Sequence, residues 1–171
     1  MDALRIYDYL TLARQRLLDW ARPLSAEQLA REFPIGRTTL ARTLTHIMIS
    51  EWYYIERLQQ RAVPPYAKWP IQEENPPTFP ALEAAWVRQS GVTRAALSSV
   101  QDWTSPIEYQ VTDDNGIDII VTASAADIAT QLILHEVHHR AQAMNILRQL
   151  GIPAQDLDFN ALMYKRRPVL S

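Results

Sequence analysis

Four stretches of the chain place apolar residues at the three- and four-residue spacing of an amphipathic helix. They cover, approximately, residues 3–21, 38–60, 80–100 and 124–150. Pro23 follows the first stretch, and Gly151 and Pro153 follow the last, where such residues commonly end helices. Gly91 lies within the third stretch and weakens that helix. The pattern therefore predicts four long helices.

Two connections decide how these helices are arranged. Residues 62–80, AVPPYAKWPIQEENPPTFP, contain six prolines in nineteen residues, which excludes a regular helix or a central strand. This segment is too long for a tight reversal and suits a crossover between two roughly parallel helices. Residues 107–122 alternate apolar and polar positions around Asn115-Gly116, a strong hairpin signal.

These features predict an all-α fold, an up-down-down-up four-helix bundle with a long crossover and a small β-hairpin before the last helix. Because the chain has 171 residues and no internal repeat, we expect one domain over residues 1–171. In this arrangement the second and fourth long helices are neighbours that face the core.

Composition narrows the possible functions. The net charge is −2 and no stripe of Lys and Arg follows one helix face, so we expect no nucleic-acid partner. No stretch approaches the ~18–20 apolar residues of a membrane span, and the N-terminus does not have the pattern of a signal peptide, so we expect a cytoplasmic protein. The absence of cysteine excludes disulfides, thiolate ligands and a cysteine nucleophile.

Polar residues interrupt an apolar stripe on the predicted fourth helix. The stripe consists of Ile128, Leu132, His135, His139, Gln142 and Ile146. Two histidines one turn apart place their imidazoles side by side, the spacing that chelates one metal ion. Burying both imidazoles without partners would be costly, and either a metal or hydrogen bonds to buried groups would compensate.

The second helix carries a matching polar stripe, formed by Thr39, Thr43, His46, Ser50 and Tyr53. His46 lies near the middle of this helix, where it can face His135 and His139 across the bundle. Three imidazoles with room for a water make an open site suited to Zn²⁺ or Ni²⁺. A lone histidine is more often a satisfied core or surface residue, so His46 by itself does not decide the question.

The segment HEVHH also matches the H-E-x-x-H motif of zinc peptidases, with His135 and His139 as ligands and Glu136 as general base. The metzincin extension fails because Gln142 and Asn145 occupy its next two positions. No glutamate follows Glu136, and only two later aspartates could replace one as a third ligand. A peptidase is therefore the least favoured function.

Two neighbouring residues have simpler interpretations. Arg140 follows Glu136 by four residues, the favourable order for a surface ion pair. Alternatively, Arg140 holds a substrate carboxylate. His138 is rotated by about a hundred degrees from His139, so a surface position or a contact outside the ligand set is expected.

Three segments together resemble the DinB/YfiT-like superfamily: THIMISEWYYIERL, HEVHHRAQAMNILRQLG and IPAQDLDFNALMY. The most specific part is H-x-x-x-H-R-x-Q at residues 135–142, paired with L-x-H at residues 44–46. The resemblance implies a four-helix bundle in which His46, His135 and His139 bind a divalent metal, commonly zinc or nickel. Characterised members include bacillithiol S-transferases, a mycothiol-dependent isomerase and metal-dependent hydrolases. Homodimers are frequent in this superfamily, so the resemblance also implies a homodimer.

The favoured hypothesis is a metal-dependent enzyme that activates a low-molecular-weight thiol or a water towards a small-molecule substrate. Gln142, Ser50 and Tyr53 are candidates to orient the substrate or a ligand. Neither ligand stripe carries an acid or base suited to hydrolysis, which favours thiol S-transfer, although Asp158 could reach the site. The alternative is a non-catalytic, stress-linked metal-binding bundle.

Overall fold

The structure is a computed structural model that describes residues 2–113 and 115–167. It is mostly helical, with one small antiparallel sheet directly before the last long helix. The helices are α1 (Ala3–Ala21), α2 (Ala26–Ala30), α3 (Leu40–Leu58), α4 (Phe79–Ser99), α5 (Ala125–Gln149) and α6 (Phe159–Met163). The strands are β1 (Pro106–Thr112) and β2 (Asp118–Ser124), and a short 3₁₀ turn covers Tyr66–Lys68.

The four predicted long helices and the predicted hairpin are confirmed. β1 and β2 pair antiparallel from Pro106 opposite Ser124 to Thr112 opposite Asp118. Gly116 takes a φ of +80° in the turn, a conformation that glycine adopts without steric cost. Gly91 does not interrupt α4. That the chain forms one domain over its whole length stays a prediction.

Local capping explains where the helices begin. The Ser25 side chain accepts a hydrogen bond from the backbone N–H of Gln28, whose own side chain accepts one from the Ser25 N–H. Ser124 and Asp127 make the same reciprocal pair at the start of α5. Such capping boxes satisfy backbone donors that the first helical turn leaves free. The segment that follows α1 and Pro23 thus forms a short capped helix, α2.

The long helices pack around one apolar core. α3 contacts α4 and α5, and α1 contacts the same two helices. Burial of large apolar side chains supplies the main stabilisation of this arrangement. Among those fully buried are Leu10, Leu17, Leu40, Leu44, Ile47, Ile55, Trp86, Ile146 and Leu147. Because α3 and α5 are neighbours, the polar stripes of these two helices meet.

Within residues 2–113 and 115–167, none of the helices combines the length and the apolar character needed to cross a bilayer.

Candidate metal centre

Three histidines from two helices meet at the contact between α3 and α5. His46 comes from α3, and His135 and His139 lie one turn apart on α5. One ring nitrogen from each lies within 4.8 Å of the others, and Nε2 of His46 is 3.0 Å from Nε2 of His135. All three side chains are partly buried. The structure therefore brings together the three residues that the two stripes predicted as ligands.

A carboxylate holds one of these rings from its far side. Oε2 of Glu73 lies 2.5 Å from Nδ1 of His46, so the Nδ1–H donates to the carboxylate and Nε2 points towards the other histidines. Glu73 is buried and is also paired with Arg37 at 3.2 Å. A carboxylate that fixes the tautomer and orientation of an imidazole is a recurring feature of metal-binding histidines.

An amide plays the corresponding role for the second ring. Oε1 of Gln142 lies 2.7 Å from Nδ1 of His139 and accepts its N–H. The same amide reaches the exposed His138 at 3.0 Å through its nitrogen. Gln142 is thus a residue that positions a candidate ligand. His138 stands outside the ligand set, as its rotation around the helix predicted.

The loop before α3 closes over this amide. Gly36 has a φ of +49°, and a Cβ added there would lie 2.1 Å from Oε1 of Gln142. Its neighbour Arg37 places a guanidinium nitrogen 3.3 Å from Nε2 of His46. Glycine at position 36 is therefore required by the close approach of the loop to the side chain that supports His139.

Sequence comparison agrees with this geometry. No curated protein matches the chain significantly. The family model of the DinB family matches residues 1–168, nearly the whole chain. The chain belongs to the DinB family. The resemblance inferred from the histidine motifs is thereby confirmed, and in this DinB chain the motif residues are the ones that converge in space.

The electrostatics of this DinB-family site favour neutral imidazoles. Burial, and then the neighbouring His139, lower the pKa of His135 to about 4. Burial, and then the Arg37 guanidinium, lower the pKa of His46 to about 3, although the adjacent Glu73 carboxylate acts in the opposite direction. The pKa of His139 is also lowered, chiefly by burial. Unprotonated ring nitrogens are the form that binds a metal.

The donor set fits a divalent metal ion. Nitrogen ligands at ~2.0–2.1 Å around a tetrahedral zinc are roughly 3.3 Å apart, close to the 3.0 Å between the Nε2 atoms of His46 and His135. The third histidine lies within the same cluster, and a three-histidine set leaves room for a further ligand. Imidazole ligands suit Zn²⁺ and Ni²⁺ equally well, so the donor set leaves the metal open.

Two candidates for orienting a substrate lie further along α3. Ser50 is buried one turn after His46. Tyr53 stacks on Trp69 with ring centroids 5.5 Å apart, whereas the ring that meets His135 edge to face, at 5.6 Å, is that of Tyr54. Of these two tyrosines, Tyr53 is the one predicted to orient a substrate, because it shares the stripe of His46.

Asp158 is not brought to the histidines. Its exposed carboxylate stands before α6, in a pocket that also contains Val137, Ala141 and Met144 of α5. These three residues lie on the face of α5 opposite to that of His135 and His139, because the helix turns about 100° per residue. The expectation that Asp158 could reach the site therefore does not hold in the described structure.

The predicted surface ion pair between Glu136 and Arg140 is wrong. Glu136 is only 3% exposed, and Oε2 of its carboxylate accepts a hydrogen bond of 2.6 Å from Arg14 of α1. Arg140 is buried as well and donates to the Tyr9 hydroxyl while its guanidinium lies over the Tyr9 ring. Periodicity placed both residues off the histidine stripe but could not show that α1 covers them.

The same contacts remove support for the peptidase function. A general base must approach a water held beside the metal ligands. Glu136 instead points away from the histidines into the interface with α1, where Arg14 holds it. The match to H-E-x-x-H is therefore a coincidence of two histidines and a structural glutamate.

Glu73 is the contact that sequence reasoning missed. It lies in the proline-rich crossover, where neither helical nor strand periodicity assigns a direction to a side chain. The adjacent pair Glu73-Glu74 gives no indication of which carboxylate turns inward. To predict this contact, one would have to know which carboxylate lies close to the histidines in space. The sequence does not give that distance.

Proposed function

We propose that this DinB-family protein is a metal-dependent enzyme that holds Zn²⁺ or Ni²⁺ through His46, His135 and His139 and acts on a small molecule. Thiol S-transfer is favoured over hydrolysis. The observation that carries the proposal is the direction of the ring nitrogens. The Nδ1 atoms of His46 and His139 are engaged by Glu73 and Gln142, which turns both Nε2 atoms towards a shared ligand, and Arg37 is the protein group that would have to give way at Nε2 of His46.

A divalent ion, when bound, supplies Lewis acidity that lowers the pKa of a thiol or of a water. The chain contains no cysteine, so a nucleophilic thiol has to come from a low-molecular-weight co-substrate. Among the described residues, the carboxylate that contacts the histidines is that of Glu73, and it is occupied by His46 and Arg37. Because no free carboxylate within residues 2–113 and 115–167 contacts the histidines to act as a general base for water, thiol transfer is the better supported reaction.

The bundle topology belongs to the same proposal. Arg22 pairs with Glu83, Arg14 with Ser90 and Asp8 with Arg94, an order that favours antiparallel α1 and α4. The ends of α3 and α4 share one pocket with the start of α5, through Leu58, Ser99 and Ala125. These contacts support the up-down-down-up arrangement. The homodimer, the small-molecule partner and the cytoplasmic location stay predictions.

One observation favours the non-catalytic alternative. The Arg37 guanidinium lies 3.3 Å from Nε2 of His46, the nitrogen that would bind the metal. Arg37 is partly exposed and is carried by a loop, so it is able to move. If it stays in place, the site binds a metal without turning over a substrate.

The first experiment measures metal. Protein purified from medium supplemented with zinc and nickel is expected to carry about one equivalent of divalent metal by mass spectrometry. His135→Ala should lose the metal, whereas His138→Ala, altered at an exposed histidine three residues away, should retain it. Equal and negligible metal in all three proteins would eliminate the metal centre.

The second experiment separates enzyme from binder. The metal-loaded protein is mixed with monochlorobimane and, in turn, bacillithiol, mycothiol, glutathione or cysteine. If the metal-loaded protein turns over one of these thiols faster than the metal-free protein does, the result would support S-transfer. Stoichiometric metal without turnover for any thiol would remove the transferase function and leave the metal-binding bundle.

A further inference from the structure

A second polar feature lies beyond the histidines, near the C-terminal end of α3. A pocket of about 630 Å³ opens between α3, the proline-rich crossover and the hairpin. Tyr53, Tyr66 and Trp69 line one side of it, and Thr112 and Asp118 of the hairpin line the other. Its wall therefore combines aromatic rings with polar side chains, and prolines and valines complete the lining.

Arg57 contributes the charge that makes this pocket unusual. The side chain is only 9% exposed, and its guanidinium lies between the rings of Tyr53 and Tyr109, at 4.9 and 4.7 Å from their centroids. Among the residues that the structure describes, no carboxylate lies within 4.0 Å of it, and its buried Nε has no hydrogen-bond partner. A buried guanidinium ordinarily has such partners, because desolvating it without them is costly.

The other buried arginines show what is missing. Arg14 contacts two carboxylates, those of Glu51 and Glu136, and Arg140 donates to the Tyr9 hydroxyl. Arg14 and Arg140 each also keep one buried nitrogen without a partner, but among the described residues Arg57 has neither a carboxylate nor a hydroxyl partner, only the two aromatic rings. The Arg57 side chain forms part of the pocket wall. The partner of Arg57 is therefore expected to come from outside the chain.

We propose that this pocket binds a small organic carboxylate with a planar or apolar body. The carboxylate lies against the edge of Arg57, since the guanidinium fork matches two carboxylate oxygens. The body of the molecule packs on Trp69 and Tyr66. One arginine shares the lining with one acidic residue, Asp118, so the charge balance fits a monoanion better than a dianionic phosphate ester.

The position of the pocket relates it to the metal centre. His46, Ser50, Tyr53 and Arg57 are spaced by four, three and four residues and so lie on one face of α3. Arg57 is eleven residues from His46, roughly 16 Å along the helix. The assignment of the pocket to the substrate or the thiol co-substrate rests on the proposed function, whereas carboxylate binding itself does not.

The test uses metal-stripped protein and three simple probes followed by ligand-observed NMR titration. Benzoate should bind saturably. Neutral benzamide has the same shape but cannot form an ion pair with a guanidinium, so it should bind at least about tenfold more weakly. Phenyl phosphate should bind more weakly than benzoate. Equal binding of benzoate and benzamide would overturn the proposal, and tighter binding of phenyl phosphate would overturn the assignment to a carboxylate.

Variants locate the site. Arg57→Met keeps the aliphatic part of the side chain, removes the guanidinium and should weaken benzoate binding by about tenfold or more, whereas Arg61→Met should not. Arg61 is a matched control because it is a nearby arginine already paired with Glu56. Unchanged binding by folded Arg57→Met would refute the role of Arg57.

Arg57→Met could fail to fold, since its side chain packs between two rings, so circular dichroism accompanies the titration and a second variant probes the opposite wall. Asp118→Asn, at an exposed hairpin position, should strengthen benzoate binding by removing a like charge. Weaker binding in this variant would contradict the proposed geometry. The metal content of each variant, measured before the metal is stripped, should equal that of the wild type. Loss of metal would therefore count against the metal centre, and loss of benzoate binding against the carboxylate pocket.

Discussion

Two polar clusters lie side by side along α5. Two consecutive residues of this helix belong to different clusters. His135 belongs to the partly buried histidine cluster, and Glu136 belongs to a buried network with Arg14 and Glu51. In the network, one guanidinium bridges two carboxylates at 2.7 and 2.6 Å. Glu51 also accepts hydrogen bonds from three other side chains, those of Tyr7, Trp86 and Thr93.

The difference between the clusters lies in what the protein leaves unsatisfied. The carboxylates of the network are surrounded by donors from the chain itself, so nothing from outside is required. In the histidine cluster, the outward nitrogens of two rings have protein partners, while the Nε2 atoms of His46 and His135 face each other at 3.0 Å. Two unprotonated ring nitrogens at this distance repel each other unless a proton or a cation lies between them. The network therefore stabilises the fold, and the cluster offers a binding site.

The largest effect is expected from Arg14→Met. This change leaves two buried carboxylates without their shared cation, and breaking a buried ion pair by removing one partner costs about 3–5 kcal/mol. The free energy of unfolding, measured by urea denaturation followed by circular dichroism, should fall by this amount. Arg22→Met is the control at the C-cap of the same helix, since Arg22 pairs with Asp19 and Glu83 at the surface.

The Arg22 variant should lose far less, because exposed pairs are screened by water. Equal losses in the two variants would show that the Arg14 network is not a structural centre. Metal binding provides the second comparison: folded Arg14→Met should retain the metal, since Arg14 does not contact the histidines.

The next effect concerns the carboxylate behind His46. Glu73→Gln keeps the shape of the side chain but weakens the acceptor for the Nδ1–H, and changes of this kind reduce metal affinity by about 10–100-fold. Competition with a chromogenic zinc chelator measures the affinity. Glu74→Gln is a matched control, because Glu74 is the next residue and its exposed carboxylate bonds to the Tyr66 hydroxyl instead.

Affinity that falls equally in both variants would point to general electrostatics rather than to the contact between Glu73 and His46. Unchanged affinity in Glu73→Gln alone would show that this carboxylate does not support the ligand.

The third effect is a pH dependence of the metal-free protein. The pKa of His135 is about 4 in the folded state, chiefly because of burial, against an ordinary value near 6.5 in the unfolded chain. As the pH falls below 6.5, the unfolded state takes up a proton that the folded state does not. Stability should therefore fall with pH, by about 1.4 kcal/mol per pH unit for each such proton, until the pH approaches 4.

Urea denaturation at pH 7, 6 and 5 measures this dependence. His135→Gln should flatten the curve, because it removes a group whose pKa burial lowers in the folded state. A wild-type protein whose stability rises on acidification from pH 7 to 5 would reverse the assigned sign.

The same pair of clusters shows how far sequence reasoning reaches. Helical spacing predicted the four long helices and the convergence of His46, His135 and His139, and alternation around a turn signal predicted the hairpin, because each depends on residues that share one face. It missed Glu73 and the partner of Glu136 for a common reason. Both contacts depend on how an irregular segment or a third helix covers the site, which no period in the sequence encodes.

The smallest effect tests such a contact directly, at the loop before α3. Gly36→Ala places a methyl group where the Gln142 amide lies, and the flexible amide is expected to give way. His139 then loses the acceptor for its Nδ1–H, so metal affinity should fall by about threefold, the weight of a modest hydrogen bond. Gly151→Ala is the control, because Gly151 also has a positive φ, +83°, but has nothing within 4 Å of the added Cβ.

Both alanine variants carry the strain of a left-handed conformation, about 1 kcal/mol, so both should be less stable than the wild type. Only Gly36→Ala should also bind metal more weakly. If the two variants bind metal equally well, the Gln142 amide does not orient His139, and the support of the histidine cluster rests on Glu73 alone.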